Sequence, residues 1–201
     1  MRIYELIEPG DFALVDSTRF CPRIVKYFMR SPHLWADLWR MITKKLEKPL
    51  YYHALMFLSK DEIIEQQSKV VRKSSAKILN TVNNLLIFRL KGGLTLEQKT
   101  RVCEEAIQDL GKGYDILNCF GDFLSWLTAI PFFKTYMELS NAEICINRCA
   151  KWYKNALGEN FGVKKHTTLT THTLWKYVIN NLEKFEIIYR GNPRKDNLLG
   201  E

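Results

Sequence analysis

No run in these 201 residues approaches the roughly 20 apolar residues that a membrane-spanning helix requires, and the opening Met1-Arg2-Ile3-Tyr4-Glu5 lacks the apolar core of a secretory leader. The chain is therefore expected to be cytoplasmic. Its five cysteines, Cys21, Cys103, Cys119, Cys145 and Cys149, are odd in number and scattered, which makes no disulfide framework and suits a reducing interior. No phosphate-cradling glycine loop occurs, since Gly92-Gly93 and Gly111-Lys112-Gly113 are isolated turns. Nucleotide chemistry is not expected, and neither is any other cofactor. There is no internal repeat, no low-complexity tract and no linker rich in Gly, Ser or Pro, so residues 1–201 are read as a single domain with a tail frayed from Gly191 onward.

What is present begins with a soluble globular composition, 46% hydrophobic and 26% charged, enough to build one sizeable core. The net charge of +8 is unevenly placed. Residues 19–48 hold Arg19, Arg23, Lys26, Arg30, Arg40, Lys44, Lys45 and Lys48 against only Asp37 and Glu47. A solvated basic face is the ordinary meaning of such a segment; contact with an anionic surface through Arg30, Arg40 and Lys44, beside Trp35 and Trp39, is the sharper one. No specific nucleic-acid partner is expected.

The turn signal Pro9-Gly10-Asp11 leads into a short apolar strand, Phe12 to Asp16. Apolar residues from Pro22 to about Lys45 recur at helical spacing around a break at Ser31-Pro32, which predicts two amphipathic helices. Residues 51–58, 62–71 and 85–90 read as three strands, the second with Ile63, Glu65 and Gln67 on one face. Thr95-Leu96-Glu97-Gln98 starts a helix to Leu110 in capping-box style, stopped by Gly111. An apolar helix before Pro131, a helix from Cys145 to Gly158, a helix over 174–182 and a strand over 185–189 complete the order.

Two residues stand out chemically. His53 lies in the apolar strand Tyr51 to Leu58, and Cys145 opens a helix, where the macrodipole favours a thiolate. Singly, His53 reads more readily as a satisfied core residue. If Ser59-Lys60-Asp61 turns a hairpin, Glu65 comes beside the His53 strand and supplies a carboxylate that fixes the imidazole. Gln67 shares that face and is an alternative third member, whereas Gln66 points away. Cys149, one turn further on, reads as a small core residue. A metal site pairing Cys145 and Cys149 with His166 and His172 is possible by residue type, but it lacks the short Cys-x-x-Cys knuckles of structural zinc sites.

These motifs together resemble the permuted papain-like branch of the NlpC/P60 superfamily, in particular the YiiX-like cysteine hydrolases and, more distantly, the lecithin retinol acyltransferase group. Pro9-Gly10-Asp11-Phe12 is similar to the family's opening turn, Tyr52-His53-Ala54-Leu55-Met56-Phe57 to its histidine strand, Ile63-Ile64-Glu65-Gln66 to the next strand and Gly113-Tyr114-Asp115 to a motif after a long helix. Ile144-Cys145 and the helix ending Ala156-Leu157-Gly158 resemble the nucleophile helix. The chain departs from that pattern at Ile146 and Asn147, where Ser and Glu are common, and at Tyr52, where a small residue often stands.

The resemblance implies an α+β fold, a small antiparallel sheet packed against the helix of the nucleophile, with residues of about 19–48 forming a basic helical insertion. It implies a cysteine peptidase or amidase in which Cys145 attacks, His53 serves as base and Glu65 orients it, acting on an amide bond of a peptide or cell-wall fragment. A lipid-directed thiol acyltransferase or esterase is the alternative within enzymes. The altered residues after Cys145 also leave open a non-catalytic binding module on the same fold.

Overall fold

The computed structural model describes residues 3–16, 51–67, 70–113, 127–128, 145–163 and 169–196. In chain order these form helix α1 (Ile3–Leu6) and strands β1 (Phe12–Asp16), β2 (His53–Phe57), β3 (Glu62–Gln67) and β4 (Val70–Ser75). A 3-10 segment (Ala76–Thr81), β5 (Asn84–Leu90), α2 (Leu96–Ile107), α3 (Cys145–Leu157), α4 (Thr171–Asn180), β6 (Phe185–Gly191) and α5 (Pro193–Asp196) follow. The architecture is α+β. One six-stranded sheet runs β4-β3-β2-β1-β5-β6, every neighbouring pair antiparallel.

The apolar runs of β1 and β2 do not alternate because both faces of the sheet are covered, which removes the polar positions that a half-solvated strand needs. On one face Phe12, Leu14, Ala54, Met56, Ile64, Leu86 and Phe88 pack with Ile146, Cys149, Trp152 and Tyr153 of α3, Val102 and Ala106 of α2 and Leu174 and Val178 of α4. On the other, Ala13, Val15, Leu55, Phe57, Ile63, Leu85 and Ile87 meet Ile7 and the 3-10 residues Ala76 and Leu79.

The Pro9-Gly10-Asp11 turn fixes the entry to this sheet. Gly10 has φ +88°, and a Cβ there would lie 2.8 Å from Leu94 Cδ1. Only glycine meets both demands. Asp11 is buried, with Oδ1 accepting from Arg89 Nε at 2.9 Å and Oδ2 from Arg89 Nη2 at 2.7 Å and from the Glu8 N–H at 2.8 Å. The Tyr153 hydroxyl donates to the Gly10 carbonyl, so the turn is tied directly to α3.

Several expectations are corrected. Residues 62–71 are not one strand: β3 ends at Gln67 and β4 returns from Val70, pairing Gln67 with Val70. Helix α2 ends at Ile107, with turns carrying the chain on to Gly111. Helix α4 begins at Thr171 rather than 174, because Thr170 and Thr173 form a reciprocal capping box. The chain is not frayed from Gly191: β6 extends to that residue, α5 follows, and the Tyr189 hydroxyl donates to Asp196 Oδ2 at 2.5 Å. The paired helices of residues 22–45, the basic insertion of residues 19–48, Tyr114-Asp115 and all but residues 127–128 of the apolar helix before Pro131 fall outside the described residues.

Candidate active site

Antiparallel register places the first two site residues. Leu55 pairs with Glu65 and Phe57 with Ile63, so the side chains of His53, Leu55, Ile63 and Glu65 share one face of the sheet. Glu65 stands two positions diagonally from His53, within reach of a long side chain. Its Oε2 lies 3.2 Å from His53 Nε2. Its Oε1 accepts from Ser74 Oγ at 2.8 Å and from Arg72 Nη2 at 3.3 Å, both supplied by β4. Glu65 is fully buried and His53 is 2% exposed, so this is a desolvated pair whose carboxylate is saturated with donors.

Cys145 is the first residue of α3 and is 3% exposed. Its sulfur is hydrogen-bonded to the His53 ring and receives backbone N–H groups of Ala54 and Ile146. Burial alone would push this thiol up; the imidazolium beside it and the two amides outweigh burial and hold Cys145 below the ordinary thiol range. The reciprocal effect acts on His53. Burial disfavours its charged form, yet the Cys145 sulfur and the Glu65 carboxylate overcome that and raise His53 to about 9. For Glu65, burial opposes ionisation, while His53, Ser74 and Arg72 together lower its pKa. The opposed shifts favour the charged form of each partner over what burial alone would allow, with Glu65 on the side of the charged imidazole.

The other described cysteines lack this setting. Burial pushes Cys149 well above its ordinary value, with the neighbouring Cys145 adding to the rise, and burial pushes Cys103 up to about 11. The side chain of Gln67 is outside the described residues, and Glu65 is the residue that holds His53. Cys145 and Cys149 lie one turn apart in α3, while His172 packs against Trp175 at 5.5 Å between ring centroids; His166 is outside the described residues. Among the described residues no three His, Cys, Asp or Glu side chains converge as metal ligands.

Sequence reasoning missed a second buried polar group one turn along α3. Arg148, 2% exposed, donates from Nη1 to Asp109 Oδ2 at 3.0 Å, from Nε to Gln66 Oε1 at 3.3 Å and from Nη2 to the Gly113 carbonyl at 3.3 Å. Trp152 Nε1 donates to the same Asp109 oxygen at 2.9 Å, and Gln66 Nε2 donates to the Gly113 carbonyl at 3.0 Å. A charged residue in the broad apolar face of α3, three positions after Cys145, was the available signal.

No known family model matches the chain, and no curated protein matches it in sequence. Among solved structures, the crystal structure of the metalloprotein YiiX from Escherichia coli O157:H7 aligns with a TM-score of 0.51 over 93% of this chain and 89% of that chain. The fold is YiiX-like. Sequence identity to YiiX is 16%, so the likeness is one of fold. In this YiiX-like frame, His53 and Glu65 sit on adjacent central strands and Cys145 on the helix laid across them.

Proposed function

We propose that the chain is a cysteine hydrolase of the permuted papain-like NlpC/P60 kind, cleaving an amide bond in a peptide or cell-wall fragment through an acyl-enzyme on Cys145. One observation carries this reading: a thiol at a helix start, hydrogen-bonded to a buried histidine that a buried carboxylate also holds. The order of His53, Glu65 and Cys145 along the chain is the permuted one.

The Cys145 thiolate attacks the carbonyl carbon, and the oxyanion that forms takes a hydrogen bond from the Cys145 backbone N–H at the positive end of α3. With Nε2 held by Glu65, the proton on the other ring nitrogen, Nδ1, passes to the leaving amine as the C–N bond breaks. A water then attacks the thioester, His53 takes its proton, and the acid departs as the thiolate is restored. Glu65 keeps the ring oriented and stabilises its charged form throughout.

YiiX is described as a metalloprotein. The described donors here do not suit a metal: both Glu65 oxygens are engaged by His53, Ser74 and Arg72, and His53 lies between Glu65 and Cys145.

The test is mapped iodoacetamide labelling of the folded protein at about pH 6–7, where an ordinary thiol is almost wholly protonated, together with release of amine from peptide amides. Cys145 is expected to label ahead of Cys103, and Cys145→Ser to abolish release. Equal labelling of the two cysteines with no release overturns the reading and leaves a binding module on the same fold.

A further inference from the structure

The buried cluster around Arg148 has no part in the proton transfers above, yet it spans the two elements whose relative position those transfers require. Arg148 lies one turn beyond Cys145, so whatever fixes Arg148 fixes the height and rotation of the start of α3. Gln66 lies immediately after Glu65 in β3 and points to the opposite face, towards α3. Neighbouring residues of one strand therefore face the two halves of the site: Glu65 holds His53, and Gln66 holds the helix of Cys145.

Asp109, in the turn after α2, closes the arrangement. It accepts from both Arg148 and Trp152, two residues four apart on α3, and its second oxygen takes Lys112 Nζ at 2.5 Å. The Gly113 carbonyl accepts from Gln66 and Arg148 together. A planar guanidinium with three fixed acceptors defines orientation in a way that an apolar contact does not.

Granting the hydrolase reading, on which this step rests, we propose that the Arg148–Asp109–Gln66 cluster is a positioning device that locks the Cys145 helix to the strand carrying Glu65 and so sets the contact between Cys145 and His53. Arg148 and Gln66 are positioning residues, acting on the site through the helix and the strand that they join. A merely structural cluster would support stability and leave the chemistry of the thiol untouched.

The discriminating variant is Gln66→Met, which is close in size and changes no charge, so that any change in Cys145 ionisation comes from geometry. The readout is the pH midpoint of Cys145 alkylation, measured with thermal unfolding on the same sample. The midpoint is expected to rise by about one pH unit, so that labelling at a pH below both midpoints falls about tenfold, the equivalence of one pKa unit. Trp152→Phe, which removes one donor to Asp109 while keeping an aromatic ring, is expected to give a smaller rise and serves if Gln66→Met does not fold. Folded variants that lose stability but keep the wild-type midpoint overturn the positioning role and leave the hydrolase reading standing. A wild-type midpoint at the ordinary thiol value overturns both.

Discussion

At the scale of single residues, the site turns on how burial is opposed. A buried imidazole would ordinarily lose its proton more readily, and a buried thiol would hold its proton more tightly. Here the charged form of each favours the charged form of the other, and Glu65 acts in the same direction on His53. The pH dependence follows by sign. Because Cys145 is shifted down, the thiolate persists as pH falls below the ordinary thiol range and is lost only when pH drops through that lowered value. Because His53 is shifted up to about 9, the proton needed by the leaving amine is available below that pH and is lost as pH rises through it. Amide turnover should therefore hold across neutral pH with a basic limb near 9, read from kcat/KM against pH; a basic limb near 6.5, the ordinary histidine value, would contradict the paired state. Glu65→Gln keeps the shape but removes the charge, so the basic limb should move to lower pH and turnover should fall by about 10² or more, the scale of general acid–base contributions. His53→Ala should lower Cys145 labelling at neutral pH in a protein that remains folded.

At the scale of elements, the parts with local punctuation were legible in the sequence and the others were not. Pro9-Gly10-Asp11, the Thr95 and Gln98 capping box, and the apolar strands at Phe12, His53 and Leu85 each carry a signal within a few residues, and each appears in the structure. The return from β3 to β4 was missed because Gln67-Ser68-Lys69-Val70 contains no Gly, Pro, Asn or Asp to mark a turn. The start of α4 was missed because a capping box with Thr at its third position is a weaker signal than one with Glu or Gln. One missed feature and one legible one are testable as structure. Thr170→Ala should cost about 1 kcal/mol of stability, the usual worth of such a cap, seen as a lowered Tm. Gly10→Ala forces a left-handed φ on an L side chain and drives its Cβ against Leu94, so a larger loss is expected, about 1–3 kcal/mol for the backbone conformation alone. A Gly10→Ala protein as stable as wild type would show that this turn does not set the entry to β1.

At the scale of the whole molecule, long-range pairing is what the sequence could not display. His53 and Glu65 were readable as partners because they lie 12 residues apart across one hairpin. Arg148 and Asp109 are 39 residues apart, and Arg148 and Gln66 are 82 apart; only the packing of α3 over the sheet shows why a charge can lie in that apolar face. The charge distribution poses the remaining question of substrate. The net +8 concentrates in residues 19–48, and basic charge close to an anionic membrane surface contributes about 1 kcal/mol per residue. If that segment brings the chain to acyl lipids rather than to peptide amides, the protein should bind vesicles containing phosphatidylserine and ignore purely zwitterionic ones. Neutralising Arg30, Arg40 and Lys44 together should then weaken binding by about a hundredfold at low ionic strength, with the difference shrinking as salt is raised. Cosedimentation measures this, and transfer of acyl groups from the same vesicles, lost in Cys145→Ser, would join the surface to the thiolate. Absence of binding at low salt would remove the lipid substrate and leave the amide reading to stand on Cys145 and His53 alone.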